Sequence, residues 1–175
     1  MTRVSHVADE EASDSVENVF AAAENQFGLV PNIARTMGHS DAVAEGFIGT
    51  EGNLFATSAL GNELLEKVGV AVSAANRCEY CVDAHSLSLA RNFEIPDAEL
   101  ESIVTEQYDE LTDRERVAVA FGAAAAKNPK AIPEEQYEAV HDEFTERELV
   151  EIVGTAALFE GINLFAEALA VDPDS

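Results

Sequence analysis

The stretch NELLEKVGVAVSAANRCEYCVDAHSLSLARN, residues 62–92, decides the fold. Its apolar residues recur at a helical period rather than in alternation, which predicts one helix over Asn62 to Ala75 and another over Cys78 to Asn92. The chain turns between them near Asn76 and Arg77, so the two helices form an antiparallel hairpin. Working outward, the same periodicity predicts helices near Asp14 to Gln26, Pro31 to Gly38, Asp41 to Ser58, Asp97 to Glu106, Thr112 to Asn128, Pro133 to Asp142 and Thr145 to Ala170. Helix starts are marked by Ser40 with Asp41, and by capping boxes at Thr112 with Glu115 and Thr145 with Glu148. Alternating β-branched runs and Asn-Gly or Asp-Gly hairpin turns do not occur. The expected fold class is all-α, in one domain of 175 residues whose first twelve residues are frayed.

A weak internal repeat emerges at an offset of 85 residues. ELLEKVGVA from Glu63 and ELVEIVGTA from Glu148 agree at six of nine positions. The copies, around 63–85 and 148–170, part after that, and Asn163 and Ala166 stand where the first copy has Cys78 and Cys81. A duplication read this way kept the scaffold and lacks the chemistry.

Composition narrows the function. With 34 Asp and Glu against 10 Lys and Arg, the formal net charge is -24, and only Lys67, Lys127 and Lys130 are lysines. Such a field repels phosphate backbones and anionic membranes, so neither nucleic acid nor membrane is an expected partner. Acidic excess with scarce lysine resembles the surfaces of proteins from salt-loving organisms. No N-terminal stretch joins a basic region to an apolar one, and uncharged apolar runs fall short of the roughly 20 residues of a membrane span. The expectation is a soluble, cytoplasmic protein, and in that compartment a lone C-x-x-C points to redox or metal chemistry rather than to a structural disulfide.

Cys78 and Cys81 sit at a predicted helix start, where free backbone N–H groups and the helix dipole favour a thiolate. His85 is one turn beyond Cys81 and shares its face. Counting from the turn at about 1.5 Å per residue, Glu66 and His85 are level across the hairpin, which predicts a proton path from Glu66 through His85 to Cys81. Cys78 is placed to resolve an oxidised Cys81. Zinc bound by the two cysteines, His85 and Glu66 is a competing reading, but structural zinc sites draw on two ligand pairs, and His6, His39 and His141 supply no second one.

A glutamate, eleven residues, C-x-x-C, three residues and a histidine is a pattern that resembles the carboxymuconolactone decarboxylase superfamily in its alkylhydroperoxidase D-like branch. GLVPNIARTMGHSD, residues 28–41, and VSAANRCEYCVDAHS, residues 72–86, look like stretches of its peroxidase-related members. The resemblance implies an all-helical fold assembling as trimers or hexamers, no cofactor and no metal. It implies that Cys81 attacks a hydroperoxide to give a sulfenic acid and that Cys78 condenses with it to a disulfide, which a thiol or dithiol reductant resets. It also places Pro31 and Asn32 at the substrate pocket. Tyr80 departs from the best-known members, which carry a histidine between the cysteines, and a phenol of ordinary pKa near 10 is a poor base at neutral pH. A lactone decarboxylase-like lyase and a non-catalytic redox sensor or zinc protein remain alternatives.

Overall fold

The computed structural model describes residues 2–174. Ten α-helices follow in order: α1 (Asp14–Phe27), α2 (Asn32–Met37), α3 (Asp41–Ala44), α4 (Thr50–Thr57), α5 (Asn62–Asn76), α6 (Glu79–Phe93), α7 (Asp97–Val104), α8 (Asp113–Lys127), α9 (Glu134–Glu143) and α10 (Glu146–Leu169). No strand occurs among the described residues. The capping boxes form as the sequence predicts: Glu115 N–H donates to Thr112 Oγ1 at 3.4 Å and Glu148 N–H to Thr145 Oγ1 at 3.3 Å. The span from Asp41 to Ser58, expected as one regular helix, is interrupted. Glu45–Gly49 forms a π-helical turn, so α3 and α4 are halves of a helix with one widened turn.

α5 is the central helix, buried along its whole length from Leu64 to Ser73, and it packs against α6, α8 and α10. Two glycines permit these approaches. A Cβ on Gly122 of α8 would stand 2.8 Å from Val68, and one on Gly69 of α5 would stand 2.5 Å from Cζ of Phe159 on α10. α10 is long and apolar enough, by length and composition, to cross a membrane. Here its buried face, from Ile152 through Phe159 to Ala166, packs into the core. Its opposite side leaves Val150 and Leu164 each 70% exposed.

The repeat seen in the sequence corresponds to this one helix and not to the hairpin. Where α5 ends at Asn76, α10 runs straight through Asn163 and Ala166.

A second apolar cluster joins α1, α2 and the end of α10 to the two cysteines. Arg3 and Val7, in the segment expected to be frayed, are tied to it. Arg3 N–H donates to Leu169 O at 2.8 Å, Val7 N–H to Arg35 O at 3.2 Å, and the Val7 side chain is buried. A short apolar side chain with a neighbouring backbone acceptor gives no periodic signal, so the sequence did not mark this docking.

Candidate active site

The turn between α5 and α6 sets the cysteines in place. Arg77 takes a left-handed conformation (φ 59°), its N–H bonds Ala74 O at 3.0 Å, and Cys78 N–H reaches Ser73 O at 3.0 Å. This pair of bonds satisfies the last carbonyls of α5 and reverses the chain. Cys78 is thereby the N-cap of α6 and Cys81 lies in its first turn. Both thiols are free and buried, with their sulfurs 2.9 Å apart.

A proton held between two such sulfurs couples their ionisation. The hydrogen bond from Cys81 pulls the Cys78 thiol below its ordinary value against the cost of burial. The same bond, with burial, pushes Cys81 up. The pair therefore gives up one proton readily and the second with difficulty.

His85 stands where the spacing predicts. Its Nδ1–H donates to Glu66 Oε2 at 2.7 Å, the other Glu66 oxygen accepts from Ser88 Oγ at 2.8 Å, and Asn92 donates to Ser88 at 3.2 Å. The ring is wedged between Phe159, with centroids 4.6 Å apart, and the edge of Phe27 at 5.7 Å. Burial works against the imidazolium, but the charge and hydrogen bond of Glu66 outweigh it and hold the His85 pKa above its ordinary value. Among the described residues no hydrogen bond joins His85 to either sulfur. Glu66 and His85 are thus hydrogen-bonded across the hairpin, and His85 and Cys81 line the same cavity.

That cavity has a volume of about 350 Å³. Cys81 and His85 form part of its wall with Phe27, Ile48, Leu87 and Ile162, whereas Cys78 lies behind Cys81 and does not line it. Pro31 is among the residues that line the cavity. Asn32 does something else: its backbone N–H binds Asp174 Oδ1 at 2.6 Å and its side-chain amide binds the carbonyls of Asp172 and Pro173. The C-terminal segment is strapped across α2 in this way, and Asp174 Oδ2 accepts from Tyr80 at 2.9 Å while the Tyr80 oxygen accepts from Ile33 N–H at 3.2 Å. Burial and the Asp174 charge raise the phenol pKa further. Tyr80 thus ties α2 and the C-terminal segment together, with its hydroxyl proton held by Asp174.

Reading the sequence missed Glu51. It is 3% exposed and lines the cavity from α4. Ala44, Ile48, Glu51 and Phe55 follow a helical stripe, and a carboxylate inside an apolar stripe is the signal that marks it.

A different acidic cluster is already occupied. Among the described residues, only Glu63, Glu99 and Glu115 bring three potential metal-ligand atoms within 4.8 Å of one another. The buried Lys67 Nζ sits among them at 2.7, 2.6 and 2.5 Å. The two cysteines, His85 and Glu66 do not gather in such a group.

Residues 41–121 match the Carboxymuconolactone decarboxylase family. The matched segment runs from α3 to the middle of α8 and contains Glu66, Cys78, Cys81 and His85. Among curated proteins, none matches the chain in sequence. Solved structures share the fold over nearly its whole length. A peroxidase-related protein from Silicibacter sp. TM1040 superposes with a TM-score of 0.86 at 24% identity, covering 99% of this chain and 92% of its own. An alkylhydroperoxidase-core, peroxidase-related protein from Ralstonia eutropha JMP134 gives 0.88 at 23% identity, covering 99% and 93%. The debrominase Bmp8 gives 0.87 at 23% identity, covering 100% and 94%. The fold is the alkylhydroperoxidase D-like helical fold.

Proposed function

We propose that the chain is a dithiol oxidoreductase of the carboxymuconolactone decarboxylase superfamily that reduces hydroperoxides. The observation that carries this reading is the asymmetry of the sulfur pair: Cys81 faces an apolar cavity, and Cys78 is in contact behind it at 2.9 Å. Passing its proton across the 2.9 Å contact to the Cys78 thiolate, Cys81 attacks the terminal oxygen of ROOH, forming the S–O bond of a sulfenic acid as the O–O bond breaks. Cys78 thiol then displaces water from that sulfenic acid to form the disulfide. Two equivalents of a thiol, or one dithiol, return both cysteines to the reduced state. Glu66 and His85 serve the thiol proton, with Ser88 and Asn92 fixing the carboxylate. Pro31 shapes the pocket, and Asn32 and Tyr80 hold its wall.

Peroxide consumption with a supplied dithiol tests the proposal across wild type, Cys78→Ser and Cys81→Ser. Cys81→Ser should lose turnover and show no sulfenic acid. Cys78→Ser should lose turnover yet accumulate a trappable sulfenic acid on Cys81. Turnover that survives both substitutions would overturn the dithiol mechanism, and insensitivity to thiol alkylation would instead favour a lyase.

A second reading rests on the structural likeness to the debrominase Bmp8, one of whose solved structures holds 2,3,4-tribromopyrrole. The same two-electron dithiol chemistry can replace an aryl bromide by hydrogen, releasing bromide as the disulfide forms. Bromide release from tribromopyrrole is the direct assay.

The exposed apolar side of α10, with Val150, Val153 and Leu164, supports assembly into a homo-oligomer. The charge of -24 supports a salt-adapted surface.

A further inference from the structure

Glu51 is a buried carboxylate in the wall of the reactive cavity, and the hydrogen-bond networks described so far do not use it. Among the described residues its Oε1 accepts no hydrogen bond of good geometry; the amide nitrogen of Gln26, also on the cavity wall, faces it and interacts with the carboxylate only loosely. A buried polar atom left without a well-formed hydrogen bond is costly, so one retained beside reacting groups calls for a ligand or a function. The widened turn at Glu45–Gly49 directly precedes α4 and presents Ile48 and Glu51 together to the cavity. Facing Glu51 are Gln26 from α1, Glu66 from α5, and Cys81 and His85 from α6.

We propose that Glu51 is the general acid of the peroxide-cleaving step, giving its proton to the alkoxide that departs when Cys81 attacks. The proposal rests on the dithiol reading above. As Cys81 Sγ bonds to the terminal peroxide oxygen, the O–O electron pair leaves on the RO oxygen. A free alkoxide in an apolar cavity is costly, and the Glu51 carboxyl proton converts it to ROH as it forms. Cys81 is oxidised by two electrons to the sulfenic acid, the peroxide is reduced by two, and Glu51 is left as carboxylate. When the disulfide is later reduced, the proton given up by the renewed Cys81 thiol returns Glu51 to its acid form through His85. The protonation state suits the task. Burial, opposed by the His85 charge and the Gln26 amide and reinforced by the Glu66 charge, pushes the Glu51 pKa up to about 7. Two hydroxyl groups on the wall are already committed, Tyr80 to Asp174 and Ile33 and Ser88 to Glu66.

The leaving group separates catalysis from mere structure. tert-Butyl hydroperoxide expels an alkoxide that needs a proton, whereas perbenzoic acid expels a carboxylate that does not. In stopped-flow single turnovers of the reduced protein, Glu51→Gln should slow the alkyl hydroperoxide by about 10²-fold and perbenzoic acid by less than about 3-fold. In the wild type the ratio of the two rates should fall as pH rises through about 7, an outcome that needs no variant. Equal slowing of both peroxides, or a wild-type ratio that is flat with pH, overturns the role of Glu51. A wild type that reacts with neither peroxide overturns the dithiol reading itself.

Discussion

Gly69→Ala joins the packing of the core to the chemistry of the site. In isolation the substitution favours a helix by about 1 kcal/mol. Here the new methyl would stand 2.5 Å from Cζ and 2.8 Å from Cδ1 of Phe159, against the 3.5–4.0 Å at which carbon atoms rest. Phe159 is fully buried and has no solvent to move into, so α5 and α10 must separate by about 1 Å. Overpacking of this kind costs about 1–3 kcal/mol or somewhat more. With the clash on a rigid ring at the upper end of that range, the net loss is about 2 kcal/mol. For a chain of this length that corresponds to a melting temperature lower by about 4–8 °C. The His85 ring lies 4.6 Å from the same phenyl, so alkylation of the thiols at pH 7 should also slow. The control is Gly154→Ala in α10, where nothing lies within 4 Å of the new atom, and which should be neutral or stabilising. Urea and thermal melts of the three proteins measure the difference. A Gly69→Ala protein as stable as the Gly154→Ala protein would refute the packing argument.

Replacing Lys67 with Met leaves Glu63, Glu99 and Glu115 facing one another without a cation; denaturant unfolding should show a loss of about 3 kcal/mol at pH 7 that shrinks as the solution is acidified. Glu66→Gln removes the support that raises the His85 pKa. A raised histidine pKa contributes stability that is fully present below the unfolded value near 6.5 and is lost as pH rises through the folded value. The variant should therefore lose more stability at pH 5.5 than at pH 8.5, and histidine NMR titration should show His85 moving down. Light scattering across a salt series should find an oligomer at molar salt, where the Debye length is about 3 Å, and smaller species in dilute buffer. A monomer at every salt would refute that assembly.

Much of this architecture is legible in the residues. Caps such as Thr112 with Glu115 act locally, so helix starts could be placed before any tertiary contact was known. Glu66 and His85 could be paired because a tight hairpin fixes the level of each residue by counting. Features that depend on distant chain segments could not. Nothing local in Asn32 foretells that it binds the carbonyls of Asp172 and Pro173, and Tyr80 looks like an exposed phenol until Asp174 reaches it. In a chain with 34 acidic residues, a buried Glu51 is hidden among solvated neighbours. Lys67 is similarly unremarkable until three helices bring their carboxylates to it.

The widened turn at Glu45–Gly49 amounts to one residue more than a regular helix would need over the same span. Such a unit can be gained or lost in a single codon step. Losing it would restore a regular helix over the same span and leave Glu51 facing the cavity, re-aiming only the residues of the turn itself. Lineages with this helical scaffold can thus gain or lose the widened turn through one insertion or deletion, without altering the C-x-x-C segment or the heading of α4. A single-residue deletion within 45–49 therefore asks whether the scaffold needs the widened turn itself, a separate question from the one a substitution at Glu51 asks.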